Sequence, residues 1–427
     1  MLLNLLCLLF FTPGLKSPPK VHGDLYSYFN KPEPAYHWTL KHVSHESGAT
    51  IYDLQMTSLV WHGITWKHQM QVITPAKPAY PHFCTLFISG GDSSPKGAAL
   101  GVALARSTGC TFATLYDIPN QPLFGRYEDA LVAYTWLKFL DTGDASWPLH
   151  LPMAKAGLKG MDTIQALTKQ EHLPDITGFL IVGGSKEGWS TWLDGASGDP
   201  RIKAIAPMVI DTLNLPAQFP HELAAFGKFS SQIDDYTKAD IPAKIKTPMG
   251  KRLVQLEDPY SYRNHLTLPK LLILGTNDKH WTQDALNLYW DGLKGPKWVM
   301  YDPNSGHSLE DIGRVLNTLT AYIRSIASNR PFPKMQWTYR QNDKGVELMV
   351  RSVPVAISAR LFRVYAPTQD FRKSIWTSEP MTLSDGVWEG HLDFPANGYA
   401  AMFGEETYTQ GGKQFTLSTQ IRIIGRK

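Results

Sequence analysis

The chain is poor in charge, in cysteine and in long apolar runs. Only 19% of its 427 residues are Asp, Glu, Lys or Arg, and 42 Lys+Arg against 38 Asp+Glu leave a formal net charge of +4. With no block of five like charges, this balance offers neither the basic footprint of a nucleic-acid binder nor a charged disordered tail. Past the N-terminus nothing approaches the roughly eighteen consecutive apolar residues of a membrane-spanning helix, so no internal span is expected. The three cysteines and the histidines show no zinc-site spacing, no N-x-[ST] acceptor occurs, and there is no internal repeat or low-complexity tract. Aromatics are plentiful instead: 13 Trp, 18 Tyr and 18 Phe argue for packed globular domains. The length exceeds one ordinary core and suits about two or three domains.

Residues 1–11, MLLNLLCLLFF, are almost continuously apolar and lead into Thr12-Pro13-Gly14. Such a run is too short to span a bilayer but fits the apolar core of a secretory signal, expected within residues 1–17 with a cut after Gly14. Its missing Lys or Arg leaves an uncleaved N-terminal anchor as the alternative. An extracellular location follows from the first reading, and secretion permits a disulfide. Cys84 and Cys110 each open an apolar run, so they are expected either to bridge neighbouring strands or to remain two buried thiols.

Period-two alternation over residues 50–73, with a turn at Gly63, predicts an antiparallel hairpin. Unbroken apolar runs then follow at 85–88, 111–116, 179–182, 205–210, 271–274 and 298–301. Strands buried on both faces lose their alternation in this way, so a mostly parallel sheet is expected. Helical spacing marks Leu131, Tyr134, Leu137 and Leu140, and again Leu309, Ile312, Leu316, Leu319 and Ile323. The alternation defines an α/β domain over residues 18–330. A Pro-, Lys- and Asp-rich stretch at 211–262 reads as an insertion, either a cap that shapes a pocket or a packed excursion. After the linker Asn329–Pro333, short strands over 331–427 predict an immunoglobulin-like β-sandwich without a catalytic constellation of its own.

Chemistry concentrates in ITGFLIVGGSKEGWSTW, residues 176–192. A buried strand runs through Gly183-Gly184 to Ser185 and into a helix, which is how a nucleophile elbow lifts a hydroxyl above a sheet. The usual G-x-S-x-G is altered here, with Glu187 in the glycine position and Gly188 one residue later. The strand at 271–274 ends in Gly275-Thr276-Asn277-Asp278, and that at 298–301 leads to Ser305-Gly306-His307. Ser185, Asp278 and His307, each after a strand and in that order, meet the requirement of the α/β-hydrolase fold. His307 would take the serine proton and Asp278 would hold the imidazole tautomer. Oxyanion donors are expected from the backbone of Lys186 and from the loop bearing Gly90 and Gly91. The acids Glu128 and Asp129 suit either a substrate's free amino terminus or a helix dipole. Glu187 pairs with Lys186 or with the insertion, and Trp189 and Trp192, at i, i+3, read as core packing.

These segments carry a resemblance. YFNKPEPAYHW, MTSLVW, EDALVAYTW, GGSKEGWSTW, DPYSYRNHLTLPKLLILGTND and PNSGHSL resemble the PhoPQ-activated pathogenicity-related proteins. The resemblance spans the α/β portion and continues into the β-rich tail. It implies that the displaced glycine is a family habit, while Glu187 stands where a basic residue is expected. DPYSYRNHLTLPKLLILGTND is also similar to the approach to the catalytic acid in prolyl oligopeptidase-type hydrolases, which implies Asp278 rather than Asp284. The resemblance associates the chain with virulence regulation and extracellular growth inhibition. No cofactor or metal is expected. The partners expected are a small ester or peptide substrate for a secreted serine hydrolase, or a cell-surface receptor for a signalling ligand built on a hydrolase fold.

Overall fold

A computed structural model describes residues 23–425; the expected signal segment lies outside the described residues. The antiparallel start has one strand more than the hairpin: β1 (His37–Glu46), β2 (Ala49–Trp61) and β3 (Ile64–Pro75). Along β3 the alternation buries Trp66, His68, Met70 and Val72. The unbroken apolar runs become β4 (Phe83–Ile88), β5 (Thr111–Leu115), β6 (Gly178–Gly184), β7 (Ile202–Met208), β8 (Lys270–Gly275) and β9 (Lys297–Asp302). They pair in parallel in the order β5-β4-β6-β7-β8-β9, with β3 antiparallel against β5. The chain leaves β4 towards β5 on one side, whereas β6 lies on the other. The loops after β4 and β6 therefore diverge and open a crevice at the C-terminal strand ends, where open α/β sheets take ligands.

Helices fill the connections. The first four are α1 (Gly23–Asn30), α2 (Pro95–Thr108), α3 (Glu128–Thr142) and α4 (His150–Gln170), and α5 (Ser185–Ala196) follows β6. The start of α2 is set by Ser94, whose hydroxyl accepts from the Gly97 N–H, with Pro95 in the first turn; Gly109 ends it at φ 74°. Between β7 and β8 come α6 (Leu215–Phe226), α7 (Asp234–Lys238), α8 (Ile241–Lys244) and α9 (Pro248–Glu257). The last helix, α10 (Ile312–Ala327), begins three residues after Leu309, because Asp311 caps the Arg314 N–H and Leu309 sits at φ 51°.

Cys84 and Cys110 are free thiols, so the disulfide alternative is corrected. Cys84 is in register with Thr111, one residue after Cys110. Side chains alternate along a strand. Cys84 accordingly enters the core on one face of the sheet, with Leu86 and Ile88, while Cys110 enters the opposite one beside Phe83 and Leu180. Burial pushes the Cys110 thiol up to about 12 and that of Cys84 well above its ordinary range.

The C-terminal strands form two layers. One is a separate antiparallel sheet of β10 (Lys334–Gln341), β11 (Gly345–Val353), β14 (Thr382–Ser384) and β15 (Val387–Asp393), in the order β10-β11-β15-β14. The other comprises β12 (Ser358–Ala366), β13 (Thr377–Pro380), β16 (Tyr399–Gln410), β17 (Lys413–Ser418) and β18 (Arg422–Gly425). This second layer continues the central sheet, because β17 pairs with β9 through Ser418 and Val299. β17 and β18 are separated after Thr419, whose Oγ1 accepts from the Gly404 N–H, and the pairing with β16 shifts there by one residue. Between the layers lie Val346, Leu348, Val350, Leu361, Trp388, Met402 and Ile424. Leu361 is fully buried there. Leu361→Ala is expected to cost about 2–5 kcal/mol through lost burial and the cavity left behind, read as a lower denaturant midpoint.

Candidate active site

Ser185 opens α5 with φ 55°, a left-handed conformation uncommon for a side-chain-bearing residue. The glycines around it are required by contact. A Cβ on Gly183 would come within 2.5 Å of the Glu187 carbonyl oxygen, and one on Gly188 within 2.9 Å of that of Met208. The displaced glycine thus sits where α5 crosses β7. Glu187 is free to carry a side chain, which lies against Gly90: a Cβ there would meet Glu187 Oε1 at 2.6 Å.

The structure brings the three expected side chains together. His307 Nε2 lies 2.8 Å from Ser185 Oγ, and His307 Nδ1 lies 2.7 Å from Asp278 Oδ2. Asp278 follows β8 and is buried, whereas His307, after β9, is partly exposed. Burial alone would raise the Asp278 carboxyl, but hydrogen bonds from His280 and His307 outweigh it and hold the group at about 2. Gly275, at the end of β8, has no room for a side chain: its Cβ would collide with the Gly306 and Ser305 carbonyl oxygens. The histidine loop is fixed further by Glu310, which accepts from the Gly306 N–H at 2.7 Å and from the Ser305 hydroxyl.

Several residues at the site left no signal in the sequence. His280, two residues after the acid, donates to Asp278 Oδ1 through Nδ1 at 2.9 Å and through its backbone N–H at 3.0 Å. The C-terminal layer also reaches this end: Asn277 donates to the Ser374 carbonyl at 2.7 Å, and Asn304 exchanges hydrogen bonds with the Trp376 backbone. A pocket beside Ser185 is walled by Trp136, Trp189, Phe219, Tyr236 and Trp281, with Asp129, His150 and Glu222 among its polar lining. Trp189 is both core and pocket wall, and Trp192 is core alone. His150 Nδ1 lies 2.5 Å from Glu257 Oε2, which also accepts from Trp136 Nε1 at 3.0 Å. A roomier cleft, about 1100 Å³, lies elsewhere, at the N-terminal strand ends by Phe83, Gly178 and Lys297.

Of the three candidate acids only Asp129 lines the pocket, accepting from Tyr236 Oη at 2.9 Å. Glu128 is exposed and meets Lys186 Nζ at 2.6 Å, while Glu187 Oε1 is 3.1 Å from the same nitrogen. Lys186 pairs with both acids, and its side chain is spent on them. Burial pushes the Glu187 carboxyl up, with Lys186 opposing. In the loop after β4, the Gly91 N–H is turned onto Ser89 Oγ at 3.2 Å, which leaves Gly90 as the better placed of the two glycines.

Fold and relatives agree. The arrangement defines an α/β-hydrolase, and an acetyl xylan esterase from Thermoanaerobacterium sp. JW/SL YS485 has a similar structure, with 16% identity, a TM-score of 0.50, and coverage of 72% of this chain and 95% of that one. An S-formylglutathione hydrolase from Agrobacterium tumefaciens is also similar, at 14% identity and TM-score 0.47, over 68% of this chain and 99% of that one. The model of the PhoPQ-activated pathogenicity-related protein family matches residues 25–372, and the chain belongs to that family. Autocrine proliferation repressor protein A of Dictyostelium discoideum is 31% identical over 450 residues, covering 96% of this chain and 88% of the relative. Among the described residues no helix is long and apolar enough to cross a membrane.

One acid beside the site sets a pH dependence. Asp211, after β7, is buried, accepts from Tyr289 Oη at 2.6 Å and is pushed from its ordinary 3.8 up to about 8, mainly by burial. Between those values the folded chain holds a proton that the unfolded chain has shed, so this group lowers stability as pH rises from about 4 to 8. Asp211→Asn is expected to flatten that decline, measured as denaturant midpoints at about pH 5 and pH 8.

Proposed function

We propose that this protein is a secreted serine hydrolase that cleaves an ester or peptide bond through an acyl-enzyme on Ser185. The observation that carries this reading is the unbroken chain from Asp278 through His307 to Ser185, with links of 2.7 and 2.8 Å. Ser185 Oγ attacks the substrate carbonyl while His307 Nε2 takes its proton; His307 then returns that proton to the departing alcohol or amine. Water deacylates the enzyme by the same steps in reverse order. Asp278, ionised across the ordinary pH range, keeps the imidazole proton on Nδ1, so that Nε2 faces the serine as an acceptor. The carbonyl oxygen, negatively charged at the tetrahedral stage, is received by the backbone N–H groups of Lys186 and Gly90. The substrate's bound portion lies against the aromatic wall, with Asp129 as the acid that meets a cationic end such as a free amino group. Glu128 is occupied by Lys186 and serves the loop instead. The apolar N-terminal segment and the autocrine relative support secretion.

The same relative favours a second reading, in which the chain is a secreted growth-regulating ligand that acts on a cell-surface receptor and whose hydrolase fold has incidental or no catalysis. A fluorophosphonate probe separates the two. Wild-type protein is expected to be labelled stoichiometrically, and Ser185→Ala to lose labelling entirely. His307→Ala is expected to slow labelling by about 10³-fold or more. Folded wild-type protein that resists the probe would leave only the ligand reading.

A further inference from the structure

We propose that Asp278, His280 and His307 form an inhibitory site for a divalent transition-metal ion of the zinc type. Among the described residues these three bring their ligand atoms within 4.8 Å of one another. The Asp278 carboxylate is the hub, with His280 Nδ1 at 2.9 Å from Oδ1 and His307 Nδ1 at 2.7 Å from Oδ2. The two imidazole rings lie 4.0 Å apart between centroids, inclined by 36°. Two imidazoles and a carboxylate are a donor set that zinc favours, and four-coordinate zinc leaves the remaining position to water. Ligand atoms on tetrahedral zinc stand about 3.3 Å apart, so binding opens the two hydrogen bonds slightly and draws two imidazole nitrogens that now meet different carboxylate oxygens onto one ion. The side chains are 18% exposed at His280 and 29% at His307, which gives an ion a way in, while Asp278 at 1% supplies a fixed buried charge.

The consequence for His307 follows from its two nitrogens and rests on the serine-hydrolase reading. In the neutral ring the proton sits on Nδ1, towards Asp278, and Nε2 accepts from Ser185. A metal on Nδ1 needs that nitrogen's lone pair, so the proton moves by way of solvent to Nε2, and the ring stays neutral. His280 undergoes the same change of tautomer, no bond is broken other than N–H, and nothing is oxidised or reduced. With Nε2–H pointing at Ser185 Oγ, His307 has no lone pair to accept the serine proton. The ion silences the nucleophile through His307, and a chelator restores it.

Binding is measured first in Ser185→Ala protein, by competing Zn²⁺ from a chromophoric chelator. That variant keeps all three ligands whether or not the chain is an enzyme. One Zn²⁺ per chain is expected. Adding His280→Asn, which preserves a donor to Asp278 but removes the imidazole, is expected to weaken binding about tenfold or more. In wild type, Zn²⁺ is expected to stop fluorophosphonate labelling and EDTA to recover it. Absence of binding, or binding equal in both variants, overturns the site. Binding that leaves the labelling rate of a reactive wild type unchanged overturns the inhibition. A wild type that is never labelled refutes the hydrolase reading, and the binding result still decides the metal site.

Discussion

A buried carboxylate is the constraint around which the site is built. Asp278 is almost wholly removed from water, and burial by itself would push its proton affinity up. Three donors reverse this: the His280 backbone, the His280 ring and the His307 ring. Because those donors must converge on two oxygens, the ends of β8 and β9 are forced close together. Gly275 has no space for a side chain for that reason, and Asn277 donates its own N–H to the Ser305 carbonyl. The orientation of His307 towards Ser185 is thus a by-product of keeping one charge solvated by protein.

The strain at Ser185 belongs to the same design. Its positive φ aims the hydroxyl away from the sheet, at a cost of about 1–3 kcal/mol that the surrounding contacts must hold in place. Gly183 and Gly188 let α5 lie directly on the backbone of β6 and β7, and Glu187 fills the space against Gly90. A rigid helix start and a rigid loop after β4 are thereby fastened to each other across the crevice.

Much of this was legible in the sequence because local pattern carried it. Loss of alternation marked the parallel strands, and the order Ser185, Asp278, His307 after three of them marked the fold. The helix at 150–170 went unseen because no capping side chain marks its start, and Pro152, Gly157 and Gly160 interrupt its first half. His280 sits in a loop, where spacing has no structural meaning until the chain folds. The His150–Glu257 contact joins residues 107 apart, and only the tertiary structure makes them neighbours. The cysteines depended on register: a shift of one residue decides which face each thiol occupies, and composition carries no trace of it. The short strands β13 and β14 read Thr-Ser-Glu-Pro and Thr-Leu-Ser, without an apolar face to announce them.

The joint between β9 and β17 has a consequence for the chain as an assembly of parts. It is narrow, with one paired position, Val299 to Ser418, reinforced by the Tyr301 N–H on Ser418 Oγ at 3.0 Å. Narrow as it is, it covers the middle of the donor and acceptor row along β9. A hydrolase portion severed after α10 would present that row to solvent beside the apolar side chains of Val299 and Tyr301, a ready template for a strand from another molecule. The C-terminal layers therefore shield part of this edge from strands of other molecules.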